Sequence, residues 1–156
     1  MPSSYTPLGV ELMVTGEQAG LWGDKTNTNL NILSQIVGGY NSQAVNGTGD
    51  TPLNVSDGAT GATVANRIIE LTGTITGNIT VSIPLDVENF YIIKNSTSGA
   101  FTVEFQYTSG SGTSVTFSST DKGTKFVYAK ADDGTNPNIV DVFSEFSQIN
   151  LVNRNE

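Results

Sequence analysis

Hydrophobic and polar residues alternate over much of this chain with the two-residue period of strands. The alternation is sharpest at Phe101, Val103, Phe105 and Tyr107, with Thr102, Glu104 and Gln106 between them: one buried face and one solvated face. Further strands are predicted at Arg67–Thr72, Asn78–Ile83, Phe90–Lys94, Val115–Phe117, Lys125–Ala129 and Ile139–Phe143. Turn-formers separate them, among them Thr97-Ser98-Gly99, Ser109-Gly110-Ser111-Gly112 and Asp132-Asp133-Gly134. Near the N-terminus Leu8, Val10, Leu12 and Val14 alternate with Gly9, Glu11 and Met13, which predicts an extended segment over residues 1–16. It is either a strand of the domain or an arm that pairs with a neighbour.

Helical spacing occurs once. Leu30, Leu33 and Val37 recur at three- and four-residue steps, Ile32 and Ile36 widen the stripe, and a helix of about three turns over 24–38 follows. Asp24, Thr26 or Thr28 is expected to cap its start, and Gly38-Gly39 to end it in a left-handed conformation. Its Asn-rich first turn has poor helix propensity, so packing on a sheet must hold it. Residues 41–63 are rich in turn-formers and read as loop, with a short strand at Leu53–Val55. Short strands at close, regular spacing predict an all-β fold: a single antiparallel β-sandwich or jelly-roll-like domain with one short helix and extended terminal arms. The divisions are an arm and Trp loop over 1–23, the β-rich domain over 24–143 and a tail over 144–156. Trp22, the only Trp, lies in a Gly-punctuated loop. Core packing is its default reading and an intersubunit contact the sharper one. In the tail, Phe143, Phe146, Ile149 and Leu151 are spaced to dock on the domain or on another subunit. The candidate interface residues are therefore Leu8, Val10, Leu12, Trp22, Phe146, Ile149 and Leu151.

Composition narrows the chemistry. The chain of 156 residues is only 14% charged, and its surface must be built from Thr, Ser, Asn and Gly rather than from ions. Its net charge of −8 and seven scattered basic residues supply no patch for a phosphate backbone or an anionic membrane, so neither nucleic acid nor membrane is an expected partner. No apolar run is long enough to span a bilayer, and the N-terminus has no signal-peptide pattern. The chain contains no Cys and no His, which removes disulfides, thiolate zinc sites, Cys nucleophiles and imidazole bases together.

Carboxylate chemistry is what remains. Glu70, Asp86, Glu88 and Glu104 lie on or near expected strands, but a glycosidase needs two of them to converge across a cleft, and solvated strand faces explain them at less cost. Asp132, Asp133 and Asn136 around Gly134 form a candidate calcium loop without the full Asp-x-Asp spacing; a plain turn is the simpler reading. No catalytic, cofactor-binding or metal-ligating residue is assigned, and no cofactor is expected. Tyr91, Tyr107 and Tyr128 are candidates for stacking on a glycan, although their alternation with polar residues suits burial better.

The run TGEQAGLWGDKTNTNL, Thr15 to Leu30, resembles a segment of virion structural and tail-fibre-type proteins of marine bacteriophages, notably those of cyanobacteria. There it reads approximately TGENxGxWGDxxNxNL and leads into a short helix. Thr15, Gly16, Glu17, Gly20, Trp22, Gly23, Asp24, Asn27, Asn29 and Leu30 are kept, and Gln18 replaces the usual Asn. ANRIIELTGTITGNITVSIP, YIIKNSTSGAFTVEF and GTKFVYAKADDGT are similar to the family's later strands, so the resemblance spans roughly residues 5–143. It implies a virion component without catalytic residues, commonly a homotrimer, bound to other virion proteins such as the major capsid protein. Fibre modules continue into a shaft or tip, whereas this chain ends soon after its last expected strand. The expectation is therefore a capsid decoration or cement protein. A tail- or head-fibre appendage and a module binding host surface glycans are the alternatives.

Overall fold

The computed structural model describes residues 2–144 and shows an all-β domain carrying one long helix. A small hairpin opens the chain, with β1 (Ser4–Tyr5) antiparallel to β2 (Glu11–Leu12). The N-terminal segment thus folds back on itself instead of extending. Helix α1 spans Trp22–Gly38, starting two residues before its expected boundary. Leu21 occupies the N-cap, and no side chain caps the first turn, so Asp24, Thr26 and Thr28 do not serve as predicted. At the other end Gly39 is extended, with φ −69°, not left-handed. What it supplies is room, since a β-carbon there would lie 2.5 Å from Asn66 Oδ1 and 2.7 Å from the Gln35 carbonyl oxygen.

Eight further strands follow: β3 (Tyr40–Ala44), β4 (Gly47–Pro52), β5 (Ile68–Ile83), β6 (Asn89–Ser98), β7 (Val103–Tyr107), β8 (Val115–Phe117), β9 (Thr124–Ala129) and β10 (Ile139–Asp141). The two strands expected between residues 67 and 83 are one, β5, and the expected loop over 41–63 contains β3 and β4, with Leu53 buried just beyond them. β5 organises the fold by serving two sheets. Its first half pairs with β3 and β6, and its second half with β4 and β7. All four pairings are parallel, which corrects the antiparallel arrangement that the alternating pattern predicted. The register explains how. Ile68 faces Ile92 and Ile79 faces Val103, so β6 and β7 track β5 as one continuous course. β3 and β4 do the same on the other side, with Tyr40 opposite Ile68 and Gly47 opposite Ile75. The chain therefore winds through three parallel courses, each running along the first sheet, around a corner and along the second. The short link 84–88 between β5 and β6 returns the chain from one sheet to the other, so no crossover helix is needed.

β8 and β9 then retrace this path antiparallel to β7 and β6, and β10 adds outside β9. Hydrogen bonds between Thr113 and Ile139 bring β10 back towards the β8 end, so the two sheets nearly close into a barrel. The core lies between the sheets. Tyr91 of β6 meets Phe105 of β7 edge-on at 5.6 Å, with Ile69, Leu71, Val81, Ile93, Phe117 and Val127 fully buried around them. The Tyr91 hydroxyl donates to the Val64 carbonyl at 2.6 Å and that of Tyr107 to the Val87 carbonyl at 2.8 Å, so both buried phenols are satisfied.

Candidate functional site

The segment around Trp22 turns out to join the arm to the helix. Asn29, two turns into α1, uses both ends of its amide on the backbone of Glu11: Oδ1 accepts from the Glu11 N–H and Nδ2 donates to the Glu11 carbonyl, each at 2.9 Å. A single side chain thus replaces a neighbouring strand. The Glu11 side chain is almost fully buried beneath this clamp, 3.1 Å from the Lys25 ammonium and accepting from Gln18 Nε2. Ser3 and the Lys25 ammonium hold its carboxyl below the ordinary carboxylate range. Periodicity cannot reveal such a contact, because Asn29 sits in the helix as one more polar residue.

The helix is docked by one edge of its apolar arc. Advancing about 100° per residue, Ile32, Ile36, Trp22, Leu33, Val37 and Leu30 cover an arc of roughly 160°. Ile32 is buried, Ile36 packs partly on the core, and Arg67 Nε donates to the Ile36 carbonyl at 3.1 Å near the helix end. The other half of the arc is bare. Trp22 is 65% exposed, Leu30 57%, Leu33 45% and Val37 73%. The default reading of Trp22 as a core residue is thereby overturned. Leu33 and Ile36 also border a groove of about 320 Å³ shared with Pro7, Leu8, Val10 and Glu88. Leu8 and Val10 are half-buried in the arm, and Leu12 is exposed. Of the predicted contact residues, the structure brings Leu8, Val10, Leu12 and Trp22 onto the arm and helix. Phe146, Ile149 and Leu151 lie outside the described residues. The signal that was missed is the exposed side of Leu30, Leu33 and Val37, which the sequence presents as an ordinary core stripe.

Among the polar candidates, Glu70, Glu104, Asp132 and Asp133 are occupied by their own surroundings, while Asp86 and Glu88 border the groove beside Leu8 and Leu33. Glu70, on the outer face of the first sheet, accepts from Tyr40 and Ser96 at 2.5 Å each and lies 3.2 Å from the Lys94 ammonium. Hydrogen bonds from Ser96, Tyr40 and Lys94 lower its carboxyl to about 2. Glu104 belongs to the second sheet and accepts from Ser114 at 2.5 Å. The two carboxylates face away from the shared core on different sheets and form no pair. In the 132–138 loop, Asp133 accepts from the Thr135 and Asn136 N–H groups, and Asp132 from the Asn138 backbone and side-chain N–H groups at 2.9 Å each. This is a self-satisfied turn. Tyr91 and Tyr107 are buried and cannot stack on a sugar; Tyr128 is half-buried. No family model, curated protein or solved structure matches this chain.

Proposed function

We propose that this protein is a non-enzymatic structural component of a bacteriophage particle, a capsid decoration or cement-type protein that acts through contacts between subunits. The observation that carries the assembly half of this reading is the bare apolar face of α1, where four of the exposed large hydrophobic residues lie together on one helix. A monomer gains nothing from holding Trp22, Leu30, Leu33 and Val37 in water, whereas an assembling subunit uses such a patch. The virion half rests on the resemblance of Thr15 to Leu30, and the role of Asn29 in fastening the arm gives that kept residue a physical reason to be there. Homotrimers attached to the major capsid protein are the arrangement the reading expects.

The test is mass spectrometry and cryo-electron microscopy of purified particles of the phage that encodes the chain. Decoration requires density over the capsid lattice and a copy number that scales with lattice sites. Copies confined to the tail or to one vertex would assign it to an appendage instead. Absence from the particles would end the virion reading. The glycan-binding alternative has less support, since Tyr91 and Tyr107 are buried; saturable binding on a glycan array would restore it.

A further inference from the structure

The geometry points to a specific occupant for the bare face of α1: the same face of another copy of this chain, helix against helix. This deepens the assembly reading above and rests on it. Four features favour a second copy. Thr26, Leu30, Leu33 and Val37 are separated by four, three and four residues, the spacing with which helices interlock knobs into holes along a shared seam. The face is also grooved: Leu30, Leu33 and Val37 line a hollow of about 500 Å³ with Ser34 and Gly38, which can receive side chains of another helix.

Charge makes the third argument. Two bodies of net charge −8 repel, so they can meet closely only through neutral surface. α1 carries just two charged residues, Asp24 and Lys25. Lys25 is tied to Glu11, and Asp24 lies on the far side of the helix from Leu33. On the flank of the seam beyond Leu30, Asn27 and Ser34 are uncharged and suit a polar rim. Area is the fourth. Trp22, Leu30, Leu33 and Val37 expose roughly 450 Å² of side chain, about half of what one partner brings to a standard interface, and the rim can supply the rest.

The experiment uses the full chain and exploits its lack of Cys. Leu30 lies at the midpoint of the helix, so Leu30→Cys meets its mate whether the helices run parallel or antiparallel, while Asn31→Cys is exposed on the opposite side. Under mild oxidation L30C is expected to form a covalent dimer at least tenfold faster than N31C. Light scattering should give a dimer or trimer mass for the unaltered chain at micromolar concentration. Val37→Asp should shift that mass to the monomer with an unchanged circular dichroism spectrum. A monomeric unaltered chain at ~100 μM, or equal crosslinking of L30C and N31C, would overturn the inference. The two proposals fail separately: a chain that is monomeric in solution yet present in purified particles sinks this one and spares the virion role. A chain that assembles through α1 but is missing from particles does the reverse.

Discussion

Asn29 shows how much rests on one side chain. Its two hydrogen bonds satisfy a backbone N–H and C=O of Glu11 that the short arm hairpin leaves open. Replacing it with Ala leaves both without partners, at a cost of about 2 kcal/mol. Because the arm makes few other polar contacts with the body, the loss should be local. Amide exchange across residues 4–12 is expected to accelerate roughly thirtyfold in N29A, with little change in the core strands. Uniform acceleration throughout the molecule would show that the arm is integral to global stability. Glu70 supports a second residue-scale prediction. Its carboxyl is lowered from 4.5 to about 2 by donors from Ser96, Tyr40 and Lys94. The folded state therefore holds the proton more weakly than the unfolded state. The resulting stabilisation is fully present above pH 4.5 and is lost as the pH falls towards 2. Glu70→Gln should flatten that limb of the melting temperature against pH, and an unchanged limb would assign it to other carboxylates. Neither residue's partner was legible in the sequence. Contacts across the Asn29 clamp and the Glu70 network join positions 18 and 24–30 residues apart, beyond any local pattern.

At the scale of elements, legibility followed burial. Val103, Phe105 and Tyr107 alternate cleanly because one face of β7 is core and the other is water, and that strand was readable. β3 and β4 lie along the outer edge of β5 and bury little, so Tyr40–Ala44 and Gly47–Pro52 carry turn-like composition instead of a pattern. The helix was visible from Leu30, Leu33 and Val37, but periodicity reports an apolar face without saying whether this chain or another covers it. The alternation shows two strands where β5 is one, because Gly73 and Gly77 interrupt its apolar pattern; both lie within the strand where it passes from one sheet to the other. Gly73 has φ +110°, and a β-carbon there would sit 2.4 Å from Asn46 Oδ1 and 2.7 Å from the Val45 carbonyl oxygen. Close approach and conformation both require glycine at this position. Gly73→Ala should therefore cost roughly 2–4 kcal/mol and lower the melting temperature by about 5–15 °C. A shift below ~2 °C would mean that the corner can relax and that β5 does not hold the two sheets as tightly as its four parallel pairings indicate.

For the whole molecule, the arrangement of charge matters more than any one ion pair. The ion pairs among the described residues are Lys25–Glu11, Lys94–Glu70, Lys125–Asp121, Lys125–Asp141 and Lys130–Asp132, all within the chain. They consume most of the scarce cations and leave a surplus of carboxylates spread over the body. When two such bodies meet through the apolar side of α1, the contact gains free energy from buried hydrocarbon, and the long-range field opposes it. Salt acts on those two terms in the same direction. It screens the repulsion between the −8 bodies, with the Debye length shrinking from roughly 20–30 Å in dilute buffer to about 5 Å in half-molar salt. It has no interfacial ion pair to weaken and does not loosen apolar contact. The dissociation constant of the assembled chain, measured by sedimentation, is therefore expected to fall as NaCl rises from about 20 to 500 mM. An assembly held by Lys–carboxylate pairs between subunits would respond with the opposite sign. A dissociation constant that rises with salt would accordingly place the contact on a charged surface and away from the Trp22–Val37 face.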